Sequence, residues 1–190
     1  LSDKYENVFY TIGVHPHDLI NAEFMEEEFE KLLGEKCVAI GECGLDYFYL
    51  KTDKEKGLIE NMDREVDRQR ELFIKQIEFA IKHNLPLMIH GRPSIKDEVD
   101  NPSGMDAYED ILHILRTYIN KGNKIKANMH FFVGSKEIAG ECVALGFTFS
   151  FCGVLTLTND FDEVVKSIPI ENIHAETDAP YVCPKDKEGK

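Results

Sequence analysis

Histidine and acidic side chains close the apolar runs of this sequence with unusual regularity. His15 ends "VFYTIGVH", Glu42 ends "CVAIGE", His90 ends "LPLMIH", His130 falls within "KANMHFF" and Asp178 ends "NIHAETD". Each run has the length and the Val, Ile and Phe content of a buried strand. A lone His beside a core is by default a packing residue. Three imidazoles and two carboxylates at matched places in five separate runs point instead to one shared site. Neutral imidazole nitrogen and carboxylate oxygen suit a hydrolytic divalent cation. Glu42 sharpens the point, because a carboxylate ending an apolar strand is costly to desolvate unless a cation pairs with it. Shared by two cations about 3.5–4 Å apart, it would help clamp the attacking and leaving oxygens of a phosphodiester.

The elements that must carry these residues alternate. A sixth apolar run, "FTFSFCG", brings Ser150 to the corresponding place. Between the runs lie helical patterns: "AEFMEEEFEKLLG", "REVDRQRELFIKQIEFAIKHN", "MDAYEDILHILRTYINKG", "SKEIAGECVALG" and "DFDEVVKSI". In the second, Phe73, Ile77 and Ile81 recur at helical spacing, flanked by Ile74 and Ala80. Strand and helix in strict alternation predict a parallel sheet with helical crossovers. An open doubly wound sheet and a (β/α)8 barrel both satisfy that pattern. No GxGxxG or GxxxxGK[ST] follows any strand, which removes the commonest nucleotide-binding uses of the open sheet. Barrels place their chemistry at the carboxyl ends of many strands, as here. Strand parity puts Glu42 with Ile40 and Val38, and His90 with Met88, on an inward face.

Composition sets the outer limits. The 190 residues suit one ordinary domain, read as a single unit over 1–190. No run approaches the roughly 18 apolar residues of a membrane helix. The start, "LSDKYENV", reads as a chain entered partway along. Five Cys, an odd number with no CxxC pair, read as reduced, cytoplasmic packing thiols. The net charge of −13 argues against a basic nucleic-acid surface, so any polyanion must be held locally and with the help of metal ions. Nothing indicates an obligate protein partner. His83 and His113 lie within helices and read as surface or boundary residues. Glu176 reads as a supporting group behind the site, and Asp46 as a residue that shapes the loop after Glu42 or holds the far side of a ligand.

Five motifs together, "GVHPH" (13–17), "AIGECGLDY" (39–47), "LPLMIHGR" (85–92), "MHFFVGS" (129–135) and "ETDAPYVCP" (176–184), resemble the TatD family of metal-dependent deoxyribonucleases, which are amidohydrolase-like barrels. They stand in family order along nearly the whole chain. The resemblance implies a TIM-type (β/α)8 barrel, present here as about six of eight strand units. It implies two divalent ions, Mg, Mn or Zn, and hydrolysis of DNA phosphodiester bonds from the 3' end. Glu42 would bridge the ions, His90 and His130 would bind one of them, and Asp178 would bind metal and take a proton from the attacking water. His15, His17 and Arg92 would approach the substrate phosphate.

Three features depart from the family pattern. This sequence has no D-x-H-x-H strand, which supplies ligands for a second ion. It stops soon after "ETDAPYVCP", before an expected Arg- and Asn-rich stretch and terminal helix. The loops at 48–64 and 94–108 are longer than the family's. Two alternatives to the nuclease stay open at this stage: a metal-dependent hydrolase of another ester or amide, and an inactive pseudoenzyme or fragment.

Overall fold

The computed structural model describes residues 1–18, 23–94 and 106–185. Six strands form one sheet in the order β1-β2-β3-β4-β5-β6, every neighbouring pair parallel. They span Tyr10–Ile12 (β1), Cys37–Asp46 (β2), Leu87–Arg92 (β3), Ala127–His130 (β4), Thr148–Phe151 (β5) and Ile173–Ala175 (β6). The helices between them are Glu26–Glu30 (α1), Leu50–Glu55 (α2), Met62–His83 (α3), Ala107–Asn120 (α4), Lys136–Ala144 (α5) and Asp162–Ser167 (α6). A doubly wound sheet reverses its strand order at a switch point. Here the order never reverses, and the crossover helices α3 and α4 pack against β2 and β3. This is the winding of a barrel, with β1 and β6 as the outermost strands. Of the long loops, the first contains α2, and 95–105 lie outside the described residues.

The helices start and stop for local reasons. At the start of α3, the Asn61 side chain accepts from the backbone N–H groups of Asp63 and Arg64. The helix ends where Asn84 adopts a left-handed backbone at φ 52°. Asp106 and Glu109 close a reciprocal capping box on α4, and Ser135 caps α5. Their apolar stripes cover the sheet. Phe73 and Ile77 of α3, Ile111 and Leu115 of α4, and Ile89 and Met129 of the strands are all fully buried. In β3 the pattern alternates: Leu87 and Ile89 are buried toward the helices, while Met88, His90 and Arg92 are half-buried on the opposite face. The cysteines at 37, 43, 142 and 152 are buried free thiols, as expected of packing residues, but Cys183 is exposed and lies outside the core. Among the described residues no helix is long and apolar enough to cross a membrane.

β2 departs from the sequence reading. It does not end at Glu42 but runs on to Asp46, because Cys43 and Leu45 continue the buried face. Its register with β3 also shifts: Ile40 pairs with Leu87 and Cys43 with Ile89, so three steps on β2 match two on β3. This bulge moves Glu42 to the face opposite Ile40, which corrects the expected shared parity. Past the bulge Gly44 pairs with His90, so Glu42 and Asp46 lie two residues to either side of that partner. β6 is likewise shorter than expected, and Asp178 lies three residues beyond its last residue, at φ 45°.

Close strand contact requires glycine at the bulge. A Cβ on Gly44, at φ 139°, would stand 2.0 Å from the His90 carbonyl oxygen. Gly44→Ala should therefore lose at least about 2 kcal/mol in urea denaturation, combining backbone strain with displacement of β3. Gly140, on the exposed side of α5 with nothing near its would-be Cβ, should instead gain roughly 0.5–1 kcal/mol as Ala. Equal stability of the two variants would contradict this account of the bulge.

Candidate metal centre

Strand ends bring Glu42, His90, His130, Asp178 and His15 to one place. His90 Nδ1 lies 2.8 Å from Glu42 Oε1. His130 Nε2 lies 3.7 Å from the same oxygen and 3.4 Å from Asp178 Oδ1. His15 Nε2 also lies 3.7 Å from Glu42 Oε1, and its ring meets that of His90 edge-on at 4.4 Å. One carboxylate oxygen is thus faced by three imidazoles, reached from the β1 end, β3 and β4.

Hydrogen bonds on the far side of each ring decide what it can offer. His90 Nε2 is 3.0 Å from Asp46 Oδ2. Its Nδ1 faces the Glu42 carboxylate as well, and carboxylates only accept, so without a cation the ring carries a proton on each nitrogen. A cation that displaces the Nδ1 proton finds a lone pair there, with Nε2–H held by Asp46. In His130 the nitrogens are exchanged: Nδ1 pairs with Glu176, and Nε2 faces Glu42 and Asp178 beyond hydrogen-bond distance of Glu42. The other Glu176 oxygen accepts from the Phe131 N–H at 2.8 Å, where Phe131 takes a left-handed backbone at φ 44°. Carboxylates behind imidazoles in this way set the tautomer and raise the basicity of metal-ligating histidines.

His15 differs. Its Nδ1 accepts the backbone N–H of His17 at 3.1 Å. The ring proton must then sit on Nε2, which points into the site as a donor rather than a lone pair. By distance alone, His15, Glu42 and His90 form the tightest potential ligand group, one atom of each within 4.8 Å of the others. Tautomer chemistry separates them: His90 and His130 present ligand atoms, and His15 presents an N–H. The donor set of two imidazole lone pairs and two carboxylates fits a divalent cation.

Electrostatics follow the geometry. Burial opposes a charge on His90, but the hydrogen bonds to Asp46 and Glu42 outweigh it and hold its pKa up at about 9. Burial likewise opposes charge on His130, and Glu176 with Glu42 overrides it upward. For Glu42, desolvation is overcome by the His90 hydrogen bond and the surrounding imidazoles, which hold its carboxyl below the usual range. His15 moves down through burial and the neighbouring His90 charge, and so stays neutral near pH 7. Asp178 moves up, through burial and, against the pull of His130, the Glu42 charge.

The remaining sequence candidates fall outside the cluster. His17 turns away: its Nε2 bonds Asp53 at 2.8 Å and its ring lies 4.7 Å from that of Tyr49. Arg92, two residues past His90, has its guanidinium 4.0 Å from the Phe48 ring centroid and 4.9 Å from that of Tyr49, and it donates to the Tyr49 hydroxyl at 3.3 Å. Among the described residues no carboxylate pairs with it. Ser150 donates to Asn128 within the sheet. His113 and His174 are exposed, and His83 pairs with Glu30 at 3.0 Å. Of the two roles the sequence left open for Asp46, the structure has the second: it is a buried strand residue that holds the far side of His90 and does not stand in a loop. Its signal was the spacing of Glu42 and Asp46 around Gly44.

Comparisons with known proteins give the family of the chain. A family profile described as "TatD related DNase" matches residues 1–190. "Uncharacterized metal-dependent hydrolase YabD" of Bacillus subtilis (strain 168) is 36% identical over 192 residues, covering 99% of this chain and 65% of its own length. "3'-5' ssDNA/RNA exonuclease TatD" of Escherichia coli (strain K12) is 30% identical over 191 residues, covering 98% of this chain and 63% of its own. Among solved structures, the TatD homolog YJJV from Escherichia coli K12 shares the fold, with a TM-score of 0.75 at 22% identity, over 100% of this chain and 65% of that one. A TatD family hydrolase from Entamoeba histolytica follows with a TM-score of 0.67 at 28% identity, over 95% and 55%. The chain therefore spans just under two thirds of the length of these curated relatives. With the profile matched from end to end, the chain belongs to the TatD-related DNase family.

Proposed function

We propose that the protein carrying this chain is a metal-dependent phosphodiesterase that removes nucleotides from the 3' end of single-stranded DNA. The observation that carries the reading is the matched pair of histidines. His90 and His130, each held by a carboxylate behind it, aim Nδ1 and Nε2 respectively into one space that Glu42 and Asp178 also face. Glu42, His90, His130 and Asp178 would hold the metal, with Glu42 placed to be shared between two ions. A divalent ion bound there supplies Lewis acidity toward a phosphodiester and lowers the pKa of water. Asp178, its carboxyl raised by burial and the Glu42 charge, is the base that takes the water proton. His15 donates from Nε2 to a phosphate oxygen, and Arg92 contributes a fixed positive charge. His17 acts one step back, since its backbone N–H sets the His15 tautomer. The free thiols fit a cytoplasmic protein.

A second reading, hydrolysis of another ester or amide, draws on the net charge of −13. It draws also on the broader name, metal-dependent hydrolase, carried by the Bacillus subtilis relative. End-labelled single-stranded DNA offered to the full-length protein with Mg, Mn or Zn separates the two. Stepwise release from the 3' end, abolished by chelation, supports the nuclease. Tight metal binding without nucleotide release supports the second reading, and absence of metal binding supports a pseudoenzyme. Glu42→Ala and Asp178→Ala should each lower turnover about a thousandfold or more, while exposed His113→Ala should change little. Arg92→Ala should act mainly on KM.

Metal affinity should depend on pH with a defined sign. Below about pH 9 His90 holds a proton on Nδ1, the atom a cation needs. Binding must expel it, so the apparent Kd should tighten about tenfold per pH unit toward 9 and level off above it. Calorimetry near pH 7.5 in buffers of different ionisation enthalpy should register about one proton or more released per ion. Affinity unchanged between pH 6 and 8 would contradict the assignment.

A further inference from the structure

We infer that Gln69 and Gln76 of α3 are positioning residues for the site, each holding the backbone beneath one half of it. Both carboxamides are buried, at 1% and 0% exposure, on the apolar face of a helix where Leu or Met would serve for packing alone. Gln69 grips a single residue at two points. Its Oε1 accepts from the Asp46 N–H at 2.8 Å, and its Nε2 donates to the Asp46 carbonyl at 3.0 Å. Gln76 grips Val14 in the same way, at 2.7 and 3.1 Å. A carboxamide bonded to both the N–H and the C=O of one residue reproduces what a neighbouring strand would provide.

These holds occur where the sheet stops providing them. β1 ends at Ile12, two residues before Val14, and β2 pairs with β1 only as far as Ile40. Among the described residues the edge of β2 toward β1 has no strand partner at Asp46, and Gln69 takes that place. Seven residues, close to two helical turns, separate the glutamines, so both lie on one face of α3 and meet the two adjacent strand ends. Arg68 adds a third hold, donating to the Pro16 carbonyl at 2.6 Å while Glu65 fixes its guanidinium. His15 thus stands between two backbone residues tied to α3. Glu65 also accepts from Gln69 Nε2 at 3.3 Å, which joins the Gln69 and Arg68 holds.

The two glutamines serve different groups. Gln69 fixes Asp46, whose side chain sets the tautomer and direction of His90. Gln76 fixes Val14, and with it the direction of the His15 N–H. This division rests on the metal-centre reading above, and the full-length protein tests both. Gln69→Met keeps the volume and removes both hydrogen bonds. It should weaken Mn2+ or Co2+ binding about 10- to 100-fold in calorimetry and alter the visible spectrum of the Co2+ form, with the circular dichroism of a folded protein retained. Gln76→Met should lower kcat/KM on single-stranded DNA at least about tenfold, with the metal Kd changed less than about threefold.

If Gln69→Met does not fold, Gln69→Glu, which can still accept from the Asp46 N–H, replaces it. If neither folds, amide exchange in the unsubstituted protein decides. The Asp46 N–H should gain protection on adding Mg2+ or Zn2+, and an unchanged rate overturns the inference. Variants that only melt earlier, while binding metal and turning over like the unsubstituted protein at a temperature where all are folded, reduce the glutamines to packing and overturn the inference alone. Failure of the unsubstituted protein to bind any of these ions overturns the metal-centre reading and the inference with it.

Discussion

The Glu42 carboxylate cannot stand where it does without positive charge beside it. Its side chain is only 28% exposed, and three imidazoles surround it. Two species can meet that requirement. One is the proton on His90, held there by hydrogen bonds to Glu42 and Asp46. The other is a divalent cation sharing Glu42 with the lone pairs of His90 and His130. In the proposed centre, proton and metal would compete for the same place, and the proton on His90 would hold the acidic centre together whenever no metal is bound. Buried ionic groups without such a partner would be strongly destabilising.

Everything nearby determines how those rings point. Asp46 and Glu176 each take one nitrogen of a histidine, and their own positions are fixed in turn. The sheet register puts Glu42 and Asp46 on either side of the residue that pairs with His90. The left-handed backbone at Phe131 turns its N–H onto Glu176, at a conformational cost of order 1 kcal/mol that the charge-assisted bond offsets. Behind Asp46, Tyr47 donates to buried Asp110 at 2.5 Å, and Arg70 bonds the same Asp110 oxygen at 2.7 Å. That network ties the end of β2 to α3 and α4 together. Orientation of the inner groups is therefore written in the helices as much as in the strands.

Some of this was legible in the sequence and some was not, for physical reasons. Alternating strand and helix patterns gave the six parallel units, because burial periodicity is a local property. The convergence of Glu42, His90, His130 and Asp178 followed from the rule that barrel chemistry gathers at strand ends. The course of β2 was hidden, since Gly41 and Gly44 look like terminators while they are close-contact points against Met88 and His90. A one-residue bulge then reversed the parity that Glu42 was assigned. The tautomers were out of reach, because they depend on which atoms lie behind each ring. Nothing in "GVHPH" says that one His turns a donor inward and the other rotates onto Asp53. The buried glutamines did leave a trace: two amides in an otherwise apolar stripe of α3 need backbone partners.

The acidity of the chain and the proposed substrate can be reconciled at the scale of the site. Glu42, Asp46, Glu176 and Asp178 bring four carboxylates into contact with two histidines that attract protons. Without a cation this centre would repel a phosphate, and at a Debye length near 8 Å in physiological salt the rest of the negative surface adds little either way. Arg92 is the exception in kind. Its guanidinium lies against two aromatic rings and a phenol, contacts that hold the group in place without cancelling its charge. Among the described residues no carboxylate neutralises it. Asp46 and Arg92 are register partners on β2 and β3, so an acidic and a basic group stand side by side at these strand ends. In the proposed reaction, divalent charge would have to be added on the acidic side before a phosphodiester could settle there, so metal occupancy would be a condition for substrate binding as well as for chemistry.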